Sequence, residues 1–136
     1  MGGRGTAAVV FVSLEIMVKE PKWQTFIQNV PSPHYFLGPE EYVPWVSAAG
    51  LTVTRIALVP KPMRLADVAA LQGWLRTTWM HYTERIPAES RTAFLIELAD
   101  RVSEHCSTSQ DGALLMPMVN LEVEASKGQP LAKPNA

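Results

Sequence analysis

One cysteine, Cys106, stands in the 136 residues. No intramolecular disulfide can form, and the count suits a reducing compartment, so a cytoplasmic protein is expected. Charge is also sparse: charged residues make up 18% and the formal net charge is -1. Chains that grip nucleic acid or anionic membrane usually carry a basic patch or run, and none occurs here, so neither partner is expected. No stretch approaches the about 18–20 apolar residues that span a bilayer. Thr6 to Leu14 is apolar and follows Arg4, as in a secretory leader. Glu15, Lys19 and Glu20 interrupt it, and no small-residue cleavage site follows. Zinc spacing is missing, because Cys106 beside His105 has no second pair. Serines and acids are scattered without a nucleophile elbow, so a Ser–His–Asp arrangement is not expected.

What remains is an ordinary globular composition, 47% apolar, long enough for one domain with a core. "MGGRGT" fits the loose N-myristoylation pattern of Gly2 plus Thr6, and reads equally as a glycine-rich turn before a helix. Residues 6–20 read as a helix capped by Thr6 and stopped by Pro21, with strand as the alternative from Val9, Val10 and Val12. The four prolines of 21–39 suit neither a long helix nor a central strand, yet Trp23, Phe26, Tyr35 and Phe36 make this loop aromatic. A short helix is expected over 39–49, with Glu40 and Glu41 in its first turn and Gly50 after it. The alternation of 51–59 predicts a strand. Residues 64–86 suit a helix broken near Gly73, and 87–106 a second, with Phe94, Leu95, Leu98, Val102 and Cys106 on one face. "STSQDG" is a turn, 113–123 is another strand with Pro117 at an edge or bulge, and the tail after 126 should fray.

Four segments in order carry a resemblance: "GGRG", "GPEEYVPWVSAAGLTVTRI", "GWLRTTWMHYTERIP" with a following Phe, and "DGALLMPMVNLEVEA". Over roughly residues 2–126 the chain resembles the C-terminal half of class I S-adenosylmethionine-dependent methyltransferases, nearest the trans-aconitate methyltransferase group. The resemblance implies a partial α/β fold, the C-terminal half of a Rossmann-like methyltransferase. Two antiparallel strands, 51–59 and 113–123, would then be the last of the sheet, and the helices between them would cover the acceptor. The glycine-rich cofactor loop and the acidic residue for the cofactor ribose have no counterpart. S-adenosylmethionine is therefore the cofactor of the full-length family, and this chain alone is expected to bind none.

In that setting "GWLRTTWMHY", residues 73–82, becomes part of a cover over a small carboxylic acid. Arg76 can hold a carboxylate through two parallel hydrogen bonds. Thr77, Thr78 and Tyr82 can donate to its remaining oxygens. Trp74 and Trp79 can wall the site, and His34 with Tyr35 can reach it from the proline loop. Each residue also has a plainer reading: tryptophans at this spacing build cores, Arg76 can sit on the surface, and His81 and His105 belong on helix surfaces. The expected function is that of a truncated methyltransferase keeping the acceptor side. The alternatives are an enzyme completed by a second chain, with self-association through an uncovered sheet edge, and a non-catalytic interaction module.

Overall fold

The computed structural model describes residues 1–127. The expected frayed tail lies outside the described residues, except that Ser126 and Lys127 continue a strand. The fold is mixed α/β, with antiparallel sheets. Its described residues divide into two units, one built from Met1–Thr6, Phe36–Lys61 and Val119–Lys127, the other from Ala7–Tyr35 and Pro62–Met118.

In the first unit, helix α3 (Pro39–Ala48) leads into strand β1 (Leu51–Pro60). The start of α3 follows local rules: Pro39 opens it, and the Glu41 side chain accepts from the Gly38 amide at 2.9 Å. Arg4 ties this end down through Glu40 at 2.9 Å and Glu41 at 2.8 Å. Gly50, at φ 82°, supplies the left-handed turn into the strand. β1 pairs antiparallel with the last described strand, Val119–Lys127, from Leu51 opposite Lys127 to Pro60 opposite Val119. The register slips between Val53 and Arg55, so the expected alternation of faces does not run through the whole strand. On the far side of the partner strand, Gly3 N–H donates to Val119 at 2.9 Å and Leu121 N–H donates to Met1 at 2.8 Å. Among the described residues β1 has a strand neighbour on one side only.

The second unit holds the helical core. Helices α1 (Ala8–Met17), α2 (Pro21–Ile27), α4 (Val68–Thr78), α5 (Met80–Thr83) and α6 (Arg91–Ser103) surround Met17, Leu71, Leu75, Ile86, Phe94 and Leu98, all essentially unexposed. A three-stranded antiparallel sheet, β2 (Met63–Leu65), β4 (Leu114–Met116) and β3 (Ser107–Thr108), packs there with β4 central. The strand from Val119 is β5.

Several expectations are corrected. The helix of 6–20 forms, but Thr6 does not cap it: its hydroxyl donates to the Val119 carbonyl and accepts from the Val119 amide. Ala7, at φ 54°, stands at the cap position instead. Pro21 does not only stop α1; it is the first residue of α2, where its missing N–H costs nothing. The long helix of 64–86 starts later, at Asp67, whose carboxylate accepts from the Ala70 amide at 2.8 Å. It runs through Gly73 and breaks at Trp79. The strand of 113–123 is two strands in different sheets, split around Pro117, which has no N–H to continue a ladder.

Candidate functional site

The stretch 73–82 straddles the junction of α4 and α5. Thr77 Oγ1 donates to the carbonyls of Gly73 and Trp74 at 3.1 Å, and Thr78 Oγ1 donates to that of Trp74 at 2.6 Å. Hydroxyls bonded back to the preceding turn weaken a helix end, and α4 stops here. Trp79 follows at φ -112° and ψ 34°, outside the helical region, with its indole only 2% exposed. Both threonine protons are thus committed to the chain's own backbone, not aimed outward as donors for a ligand.

The break brings rings together. Around Trp79 lie Phe11 at 5.0 Å, His34 at 5.2 Å, His81 at 5.5 Å, Tyr82 at 6.1 Å and Trp74 at 6.5 Å between centroids. His34 and His81 are themselves 5.2 Å apart, nearly edge to face, and His81 lies 4.7 Å from Tyr82. Burial, then the neighbouring His34 and then Arg85 push the His81 pKa down. Burial likewise pushes the Tyr82 phenol up.

This predicts a pH effect. A histidine held neutral binds fewer protons folded than unfolded, so its contribution is complete above about pH 6.5 and is lost as the pH falls through the lowered folded value. Urea midpoints should therefore fall between about pH 7.5 and about pH 5.5. In His81→Phe, which keeps a ring among Trp79, Tyr82 and His34, the fall should shrink. An unchanged slope would remove His81 from the effect.

Arg76 points elsewhere. It is exposed and lines a groove of about 340 Å³ with Met80, Thr83, Glu84, Arg91 and Leu95. Arg91 is occupied: its Nε donates to Thr83 at 3.0 Å and Ile86 at 2.9 Å, and its Nη2 to Glu84 at 3.3 Å, pinning the turn before α6. Arg76 has no ion pair or side-chain hydrogen bond among the described residues.

The eight residues singled out from sequence are therefore distributed, with Trp79 buried at the centre of the ring cluster. Trp74 and His34 join the ring cluster. Tyr82 belongs to the cluster and also lines a cleft of about 220 Å³ with Phe11, Leu14, Val18 and Ile27. Arg76 lines the groove. Thr77 and Thr78 bond to their own helix, and Tyr35 is 79% exposed. Sequence reasoning missed His81 and Phe11 as cluster members. The signal for His81 was its adjacency to Tyr82 after a helix break, legible only once the break is put at Trp79 and not at Gly73.

The fit of S-adenosylmethionine can be tested on the glycines. A glycine-rich loop cradles such a ligand where a Cβ would fill open space. Here a Cβ on Gly3 would stand 2.6 Å from Leu58 Cδ2 and 2.9 Å from the Leu121 amide nitrogen, and one on Gly2 2.9 Å from the Phe36 ring. The space beside these glycines is filled by the chain itself. The glycine-rich segment at residues 2–3 therefore offers no cradle for the cofactor. Among the described residues there is no group of three or more metal-ligating side chains and no helix long and apolar enough to cross a membrane. In comparisons with known proteins, no family model and no curated protein matches the chain.

Proposed function

We propose that this chain is the acceptor-holding part of a methyltransferase-like protein, with Arg76 as the anchor for a small carboxylic acid. The observation that carries the reading is the unpartnered Arg76 guanidinium on the wall of a groove of about 340 Å³. That volume lies within the about 300–1,000 Å³ range of small-ligand sites. A guanidinium offers a planar fork of donors that matches a carboxylate, and the apolar Met80 and Leu95 beside it limit competition from water. The antiparallel pairing of β1 with β5, with three α-helices between them in sequence, agrees with the order that the methyltransferase resemblance implies. On this reading β1 and β5 are the last strands of a Rossmann-like sheet, S-adenosylmethionine is held by residues other than those described, and the protein is cytoplasmic. A second reading, an interaction module or a self-associating chain, is favoured by α3, which has no buried residue and leaves Trp45 56% exposed.

Titration calorimetry with trans-aconitate tests the first reading. The wild-type chain should bind it, and Arg76→Ala should weaken binding by about tenfold or more, since a charge-assisted hydrogen bond contributes about 1.5–3 kcal/mol. The melting temperature should not move, because Arg76 is exposed and bonds to nothing else. No binding by the wild type, or equal binding by the variant, would sink the carboxylate assignment.

A further inference from the structure

A second groove, unrelated to Arg76, runs along α6 in the same unit. It encloses about 770 Å³ and is lined from α2 by Lys22, Trp23 and Phe26 and from α6 by residues that include Ala93, Ile96, Asp100 and Glu104. From Ala93 to Glu104 the α6 stripe extends about 16 Å at about 1.5 Å per residue. The core face of the helix is Phe94, Leu95, Leu98 and Val102, so this stripe is the opposite, solvent-facing side. Ile96 is 44% exposed there, a large aliphatic side chain where a helix normally places a polar one.

Charge along the groove is uneven. Glu97 accepts from Trp23 Nε1 at 2.7 Å, from Lys22 Nζ at 2.9 Å and from Arg101 Nη2 at 3.3 Å. Glu20 closes the set through Arg101. Burial would raise the Glu97 carboxyl, but its hydrogen bonds with Lys22, Trp23 and Glu20 outweigh that and hold it down at about 2. Glu20, facing Glu97, is raised. The charges of Lys22 and Arg101 are thus answered by the carboxyls Glu20 and Glu97, although Arg101 Nε is buried without a hydrogen-bond partner. Asp100 and Glu104 remain, one turn apart, and neither has an ion-pair partner among the described residues. They lie towards the C-terminus of α6, where the helix dipole adds negative potential. Lys22 Nζ sits 5.4 Å from the Trp23 ring centroid, so that indole face already has its cation.

We propose that this groove binds a small organic cation with an apolar body. The ammonium head pairs with Asp100 and Glu104, and the tail lies over Phe26, Ala93 and Ile96. The apolar end and the acidic end occur along one stripe, which favours an amphiphilic ligand over a simple ion, and the unanswered charge is negative, which selects the sign of the head.

The test uses two probes with the same tail and opposite charge, phenylbutylammonium and phenylbutyrate, followed by NMR shifts of the Trp23 indole N–H and the α6 amides in the whole chain. The ammonium should give saturable shifts confined to α2 and α6, while phenylbutyrate should give none. Asp100→Asn combined with Glu104→Gln should weaken the ammonium about five- to tenfold, since each exposed pair contributes about 0.2–1 kcal/mol, and added salt should do likewise. Both changes are on exposed side chains, so the circular dichroism of the variant should match the wild type. Equal binding of the two probes, or no binding of the ammonium, would overturn the proposal. So would a dimer mass in sedimentation that Ile96→Asp abolishes, because a second copy would then occupy the groove.

Discussion

Phe94→Ala is expected to destabilise the helical unit by about 3–5 kcal/mol, the range for emptying a buried aromatic site. Phe94 is unexposed, and its ring meets Trp23 edge to face at 5.2 Å and 77°. The loss therefore has two parts. Removing the ring leaves a cavity lined by side chains that α6 and α2 hold in place, and it also removes an aromatic contact worth about 0.5–1.5 kcal/mol beyond its area. Urea unfolding followed by tryptophan fluorescence should show both the shifted midpoint and an altered native signal from Trp23. Ile96→Ala in the same helix is the control: that side chain is 44% exposed and its loss should cost well under about 1 kcal/mol. If the two variants fell equally, the assignment of α6 faces would be wrong.

Gly3→Val should destabilise the first unit by about 3 kcal/mol, the upper end for overpacking. The added Cβ would meet the Leu121 amide nitrogen at 2.9 Å, and backbone in a pairing strand cannot turn aside as a side-chain end can. Relief requires Met1–Gly3 to leave β5, which breaks the Gly3–Val119 and Met1–Leu121 hydrogen bonds. Hydrogen exchange at the Leu121 amide should then accelerate. Gly73→Ala makes the opposite control. Its Cβ would find only the flexible Arg76 end at 3.7 Å, and alanine favours a helix interior over glycine by about 0.5–1 kcal/mol, so that variant should gain stability. A neutral Gly3→Val would reopen the glycine-rich segment as a ligand cradle.

The elements that could be read from the chain were those whose signals are local. α6 followed from apolar residues at three- and four-residue spacing, and four of the five expected face residues are buried, Cys106 being only half covered just beyond the helix. α3 followed from Pro39, its acids and Gly50. β1 followed from its alternation, although the slip at Val53 to Arg55 interrupts the alternation in space. The candidate site was legible only in its ingredients. The density of Trp, Thr, His and Tyr in residues 73–82 marked a special segment, yet the structure sends those side chains in different directions because the chain turns at Trp79.

The chain's own order of residues determined that α3 and α6 are helical, where β1 runs, that neither a disulfide nor a basic run is available, and that Arg76 carries a charge close to apolar neighbours. Those properties depend on residues a few positions apart. Tertiary structure alone decided that Thr6 serves β5 and does not cap α1, that Pro117 divides its segment between two sheets, and that His34 meets His81 across 46 intervening positions. It also decided that Asp100 and Glu104 are left unanswered while Glu97 is not. Such outcomes turn on which distant backbone or side chain arrives within about 3–5 Å, and pair contacts of that range carry no signature in local spacing.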